Sequence, residues 1–210
     1  MKPKSLIRLA LSIYLLATFI IVFGHSFLES FGFHFDYTIS RYIGLTTWSA
    51  LFFLVISLII FALVFKYILY LKKTYQMSRL WWVISVITVV SLIGVGLCPI
   101  GYFDEVYGNF GVVSHLHRLF SNTMFCLSIL MVFLTALKFH KIKSFLIPSV
   151  FYIIYTLAFV VCYASNFSFF FNHILIFEAL FLTFFYIIML LVPSPLEKGK
   201  SESDSRYLDK

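Results

Sequence analysis

Six long apolar runs dominate this chain, at roughly 6–28, 45–71, 80–101, 112–137, 144–165 and 170–191. Crossing the hydrocarbon core of a bilayer takes about 20 residues of helix, and each run reaches that length. Lipid cannot satisfy a stray backbone amide, so spans of this length are helices; a barrel strand would be far shorter. Composition agrees: the chain is 61% hydrophobic and 12% charged, where a soluble domain averages about half and about a quarter. The tryptophans Trp48, Trp81 and Trp82 and several tyrosines mark the run ends, as interfacial aromatics do. The expected fold class is all-α, a polytopic membrane protein built as one six-transmembrane-helix bundle. It is a single domain over 1–195, because no linker, repeat or low-complexity block interrupts it. Only 196–210 is polar enough to be expected as a disordered tail.

Lysine and arginine then set the orientation. With both termini cytoplasmic, every one of the 16 basic residues except Arg41 and Arg118 falls on the inner side. The expected location is therefore the cell (inner) membrane, multi-pass. A net charge of +7 would suggest nucleic acid in a soluble protein. Here no nucleic-acid partner is expected; the surplus sets topology and adds attraction to anionic lipid head groups. The opening MKPKSLIR and the run after it imitate a signal peptide. That run is longer than an ordinary signal core, and FGHSFLESFG has no A-x-A pattern, so an uncleaved helix is expected. Cys98, Cys126 and Cys162 all lie inside apolar runs with no CxxC, and read as small core hydrophobes.

With that topology, ionisable groups not needed for orientation collect at the outer end, above all in GYFDEVYGNFGVVSHLHRLFSN, Gly101 to Asn122. The candidate ligand-binding residues are His25, Ser40, Arg41, Asp104, Glu105, His115, Arg118, His173 and Glu178. Glu29, His34 and Asp36 need no role beyond solvating outer connections. Arg118 and Glu178 differ, because they lie inside the fourth and sixth spans, about 9 Å and about 12 Å deep at about 1.5 Å of rise per residue. A charge at that depth costs several kcal/mol unless it faces the bundle interior or finds a partner. Arginine can snorkel, whereas glutamate on its short stem cannot. An interior Arg118–Glu178 pair is the expectation.

On the fourth helix His115, Arg118 and Asn122 share one face, and Ser114, His117 and Ser121 share the adjoining one. His115 and His117 lie about 200° apart on a regular helix and so cannot serve one metal there. If His25, His115 and His173 converged with Asp104 or Glu105, they would suit zinc, which is the alternative to having no cofactor. Haem is disfavoured because these histidines sit at the rim. No G-x-S-x-G, P-loop or GxGxxG is present. In the third span Gly94 and Gly96 permit close helix approach and Pro99 favours a break, which packing and helix termination explain; the sharper alternative is that the broken end exposes carbonyls to the outer cavity.

Two stretches carry a resemblance. FDYTISRYIG, with Ile39, Ser40 and Gly44, precedes the second span; GVGLCPIGYF, with Gly96 and Pro99, leads to His115 at the start of the fourth. This order resembles the prokaryotic domain-of-unknown-function family 998, and is similar in layout to the eukaryotic six-helix proteins of the Frag/DRAM/Sfk type. Where that family commonly has an acid after the I-S and a phenylalanine before the proline, this chain has Arg41 and Cys98. The resemblance implies six helices and an outer-face polar site, and its eukaryotic side implies a lipid-related role.

The expected function is therefore an outward-facing polar cavity that binds a lipid head group or another amphiphile, with Arg41 and Arg118 on its phosphate or carboxylate. Its alternative is an intramembrane metal-dependent hydrolase or transferase using His25, His115 and His173. Whether the chain is an enzyme is left open by the residues alone. A transporter is disfavoured, since the polar groups gather at one rim and no internal repeat is present. Expected partners are membrane lipids; a second copy or another membrane protein stays open, because lipid-facing and subunit-facing apolar surfaces look alike.

Overall fold

The computed structural model describes residues 3–28, 34, 39–98, 112–165 and 167–193. Six helices in it are long and apolar enough to cross a membrane: α1 (Pro3–Leu28), α3 (Thr47–Tyr75), α4 (Arg79–Leu97), α5 (Val112–Lys138), α6 (Lys143–Ala164) and α8 (Ile174–Leu191). Two short helices, α2 (Ile39–Ile43) and α7 (Ser168–Asn172), complete the described elements, and no strand occurs among the described residues. The protein is an all-α, multi-pass membrane bundle. The expected spans agree within a few residues except the last, whose beginning is split off as α7, with His173 as the N-cap of α8. The tail 196–210 lies outside the described residues.

Each helix packs on its neighbours in chain order, α1 on α3, α3 on α4, α4 on α5, α5 on α6 and α6 on α8, and α8 closes the ring against α1. Successive spans alternate in direction, so the starts of α3, α5 and α8 share one end with the finishes of α1, α4 and α6. This is the distal end; the start of α1 and the finish of α8 lie at the other, proximal end. In α1 the buried positions Ile7, Ala10, Tyr14, Ala17, Ile21 and His25 recur every three or four residues, one stripe of a helix. Leu9, Leu15, Leu16, Phe19 and Phe23 on its other sides stay exposed, as lipid-facing residues do.

Without a hydrophobic drive between helices in lipid, close packing and interhelical hydrogen bonds hold such a bundle together. Both are present here. A Cβ on Gly94 would lie 2.4 Å from the Phe120 ring of α5, and one on Gly96 would lie 2.7 Å from the Ser57 hydroxyl of α3. At the proximal end Trp81 Nε1 donates to Thr135 Oγ1 at 2.9 Å, joining α4 to α5. Tyr67 donates to the Met189 carbonyl at 2.6 Å and Tyr75 to the Pro193 carbonyl, tying α3 across to α8. Midway along the bundle Tyr152 of α6 donates to Ser128 of α5 at 2.8 Å. Ser78 caps α4, its hydroxyl accepting from Trp81 N–H at 3.1 Å, and a capping box of Thr46 and Ser49 starts α3. Buried aromatics thus fill the proximal end, Tyr67, Tyr75, Trp81, Phe139 and Phe145 among them, while the distal end is built differently.

Candidate functional site

Two polar side chains organise the distal end. The first is His117, on the second turn of α5 and 5% exposed. Its Nδ1 lies 2.6 Å from the carbonyl oxygen of Cys98, the C-cap of α4. A carbonyl can only accept, so the proton sits on Nδ1. Carbonyls in the last turn of a helix lack intrahelical partners, and Pro99 follows directly. At this break the Cys98 carbonyl is taken up by His117.

The second is Glu178, half-buried in the second turn of α8. Its Oε2 accepts the Ile39 N–H at 2.7 Å. Ile39 opens α2, and an N–H in the first turn of a helix has no intrahelical acceptor, so a carboxylate there answers both the donor and the local dipole. α2 is held from its other side too. Ile39, Tyr42 and Ile43 are buried; the Tyr42 hydroxyl accepts from His34 N–H at 2.8 Å and donates to the His34 carbonyl at 3.1 Å. Ser49 of α3 donates to the Ile43 carbonyl at 2.8 Å. What the sequence presents as a connecting segment is a packed helical turn docked between α1, α3 and α8.

Beside these, a cavity of about 460 Å³ lies between α5, α6 and α8. Its polar wall is His117, Arg118, Ser121, Asn122 and Glu178. Its apolar wall includes Phe125, Phe159, Val160 and Ile174, with Cys126, Tyr163 and Ala164 completing the lining. The exposed members, Arg118, Asn122, Cys126, Val160, Tyr163 and Ala164, all belong to α5 and α6, whereas Ile174 and Glu178 of α8 are buried or half-buried. The mouth therefore lies on the α5–α6 side and α8 forms the back. Phe125 stacks on Phe159 with centroids 4.9 Å apart and meets Phe181 at 4.4 Å, which closes the inner end with aromatic rings.

Of the residues expected to form the site, Arg118 and Glu178 share this cavity. They line it without pairing: among the described residues no ion pair joins them, and Glu178 is bonded to the backbone of α2 instead. The expected direct pair is corrected, because a backbone donor from an unforeseen element answers the buried carboxylate. Of the other expected residues that the structure describes, His25, Arg41, His115 and His173 do not line the cavity. His25 is fully buried against Trp48, with ring centroids 5.1 Å apart, and near Tyr42 at 6.4 Å. His115 is exposed on α5, and Arg41 is exposed on α2. His173 has its Nδ1 2.9 Å from the Phe169 carbonyl at the α7–α8 junction. Asp104 and Glu105 lie outside the described residues, and so does the side chain of Ser40. Among the described residues no three His, Cys, Asp or Glu side chains come together to hold a metal ion, so His25, His115 and His173 do not converge.

No family model, curated protein or solved structure matches the chain. The functional reading therefore rests on the geometry of the site itself.

Sequence reasoning named Ser121 and Asn122 only as members of helix faces and gave no role to Phe159, Val160, Tyr163 or Ala164 of α6. Those α6 residues carry no sequence signal, since an apolar cavity wall and a lipid-facing surface use the same side chains. The assembled site offers a guanidinium, a carboxyl, an amide and a hydroxyl over aromatic walls.

Proposed function

We propose that the protein binds the head group of a membrane lipid, or of a lipid-like amphiphile, in an outward-facing cavity at the distal end of the bundle. One observation carries this reading: the cavity between α5, α6 and α8 joins a charged and hydrogen-bonding wall to an aromatic one. Its volume of about 460 Å³ falls in the range of small-molecule sites, roughly 300–1,000 Å³. Ionisable residues within membrane spans are expensive and usually mark functional positions; Arg118 and Glu178 are both of this kind and line one hollow. The mouth faces the side of α5 and α6, where an acyl chain could stay in the bilayer while its head turns inward. The positive-inside distribution of lysine and arginine supports the distal end as the outer one. Kinship with the six-helix family 998 belongs to the same reading and accords with the helix count.

Filling the cavity tests the proposal. Ala164→Trp places an indole at the mouth, while Leu137→Trp adds one to an exposed position at the opposite end of α5. Native mass spectrometry of protein extracted in mild detergent should find lipid retained by the wild type and by L137W, and largely lost from A164W. Equal retention by all three would overturn the proposal.

A further inference from the structure

Many classes of lipid carry a polar head on an acyl chain, and the two charges in the cavity narrow them. Arg118 and Glu178 line the same hollow and, among the described residues, do not pair with each other. An anionic ligand alone would answer Arg118 and set a second negative charge beside Glu178. A cationic ligand alone would do the reverse. Arg118 is exposed at the mouth and Glu178 is half-buried, so a ligand bearing both signs suits both side chains: its cation meets the carboxylate that is costly without a partner, and its anion meets the guanidinium. The bond from the Ile39 N–H at 2.7 Å does not exhaust the carboxylate of Glu178, since an ionised carboxylate accepts at about four lone-pair sites. A primary ammonium can donate to those sites, whereas a quaternary one has no N–H to give. The planar guanidinium of Arg118 matches a phosphodiester in turn.

We infer that the cavity is fitted to a zwitterionic phospholipid with a primary ammonium, its phosphodiester on Arg118 and its ammonium on Glu178. This rests on the amphiphile-site reading. Phe125, Phe159 and Val160 line the same space and favour the lipid over a free, water-soluble zwitterion.

The test offers the full-length protein phosphatidylethanolamine, phosphatidylcholine and phosphatidylglycerol of one acyl composition and measures retention of each by native mass spectrometry. The wild type should favour phosphatidylethanolamine over the other two by about tenfold, the scale of one charge-assisted hydrogen bond. Arg118→Gln should weaken all three phospholipids alike. Glu178→Gln retains a side-chain oxygen for Ile39 N–H and should abolish the preference while leaving phosphatidylglycerol bound; a thermal melt of each variant confirms that it is folded. Soluble phosphoethanolamine should not compete at lipid concentrations.

Equal retention of phosphatidylglycerol, or a preference untouched by E178Q, would overturn the inference and leave the amphiphile site standing. Equal retention of phosphatidylcholine would overturn the role of Glu178 as acceptor from the ammonium. Competition by phosphoethanolamine at those concentrations would overturn the lipid as the source of the head group. Retention unaffected by Ala164→Trp would overturn the site itself.

Discussion

His117 and His115 stand two residues apart on α5 and face opposite situations. His117 is buried with Nδ1 on the Cys98 carbonyl, and His115 is exposed. Removing a hydrogen-bond donor from a part-buried carbonyl such as that of Cys98 costs about 1 kcal/mol, the low end of the range for a fully buried one. His117→Ala should therefore lower the unfolding free energy in a detergent titration by that amount, and His115→Ala should leave it unchanged. Equal effects would show that the Cys98 bond does not stabilise the bundle. From the sequence, His115 looked the stronger site candidate because it shares a face with Arg118 and Asn122. On a regular helix that argument gives relative directions only, and the packing of α4 on α5 decides which direction is inward. Glu178 teaches a related lesson. α8 starts at Ile174, so Glu178 stands nearer the helix start than the sequence suggests, and a backbone amide of α2 bonds its carboxylate, which no count of charged side chains could reveal.

At the scale of elements, the α4–α5 contact depends on Gly94. Any Cβ there would meet the Phe120 ring at 2.4 Å, so something must shift. Overpacking of this kind costs about 1–3 kcal/mol. Gly94→Ala should be destabilised to that extent in the same titration, and Phe120→Ala added to it should recover part of the loss. A G94A protein as stable as the wild type would show that α4 and α5 have room to part. The close approach of helices at Gly94 and Gly96 was readable beforehand, since small residues inside a span mark such contacts. The α2 turn was not: five residues give too little periodicity to identify a helix, and what holds Ile39, Tyr42 and Ile43 is burial against α1, α3 and α8.

For the whole molecule, the six helices and their alternation place Ser165 at the distal end and His140 at the proximal one; both residues are exposed. In a background with Cys98, Cys126 and Cys162 replaced, a membrane-impermeant maleimide applied to intact cells should label Ser165→Cys and spare His140→Cys. The reverse pattern would invert the orientation and turn the cavity towards the cytoplasm. Span number, span length and the side on which lysines and arginines gather follow from the sequence alone, because bilayer thickness and backbone hydrogen bonding act on each segment separately. Which faces meet could come only from the tertiary structure. The ring from α1 to α8, the α2 turn under Glu178 and the hollow between α5, α6 and α8 depend on how side chains of distant segments fit together. In a chain this apolar, inward-facing and lipid-facing residues have the same chemistry, so composition and spacing cannot tell one surface from the other.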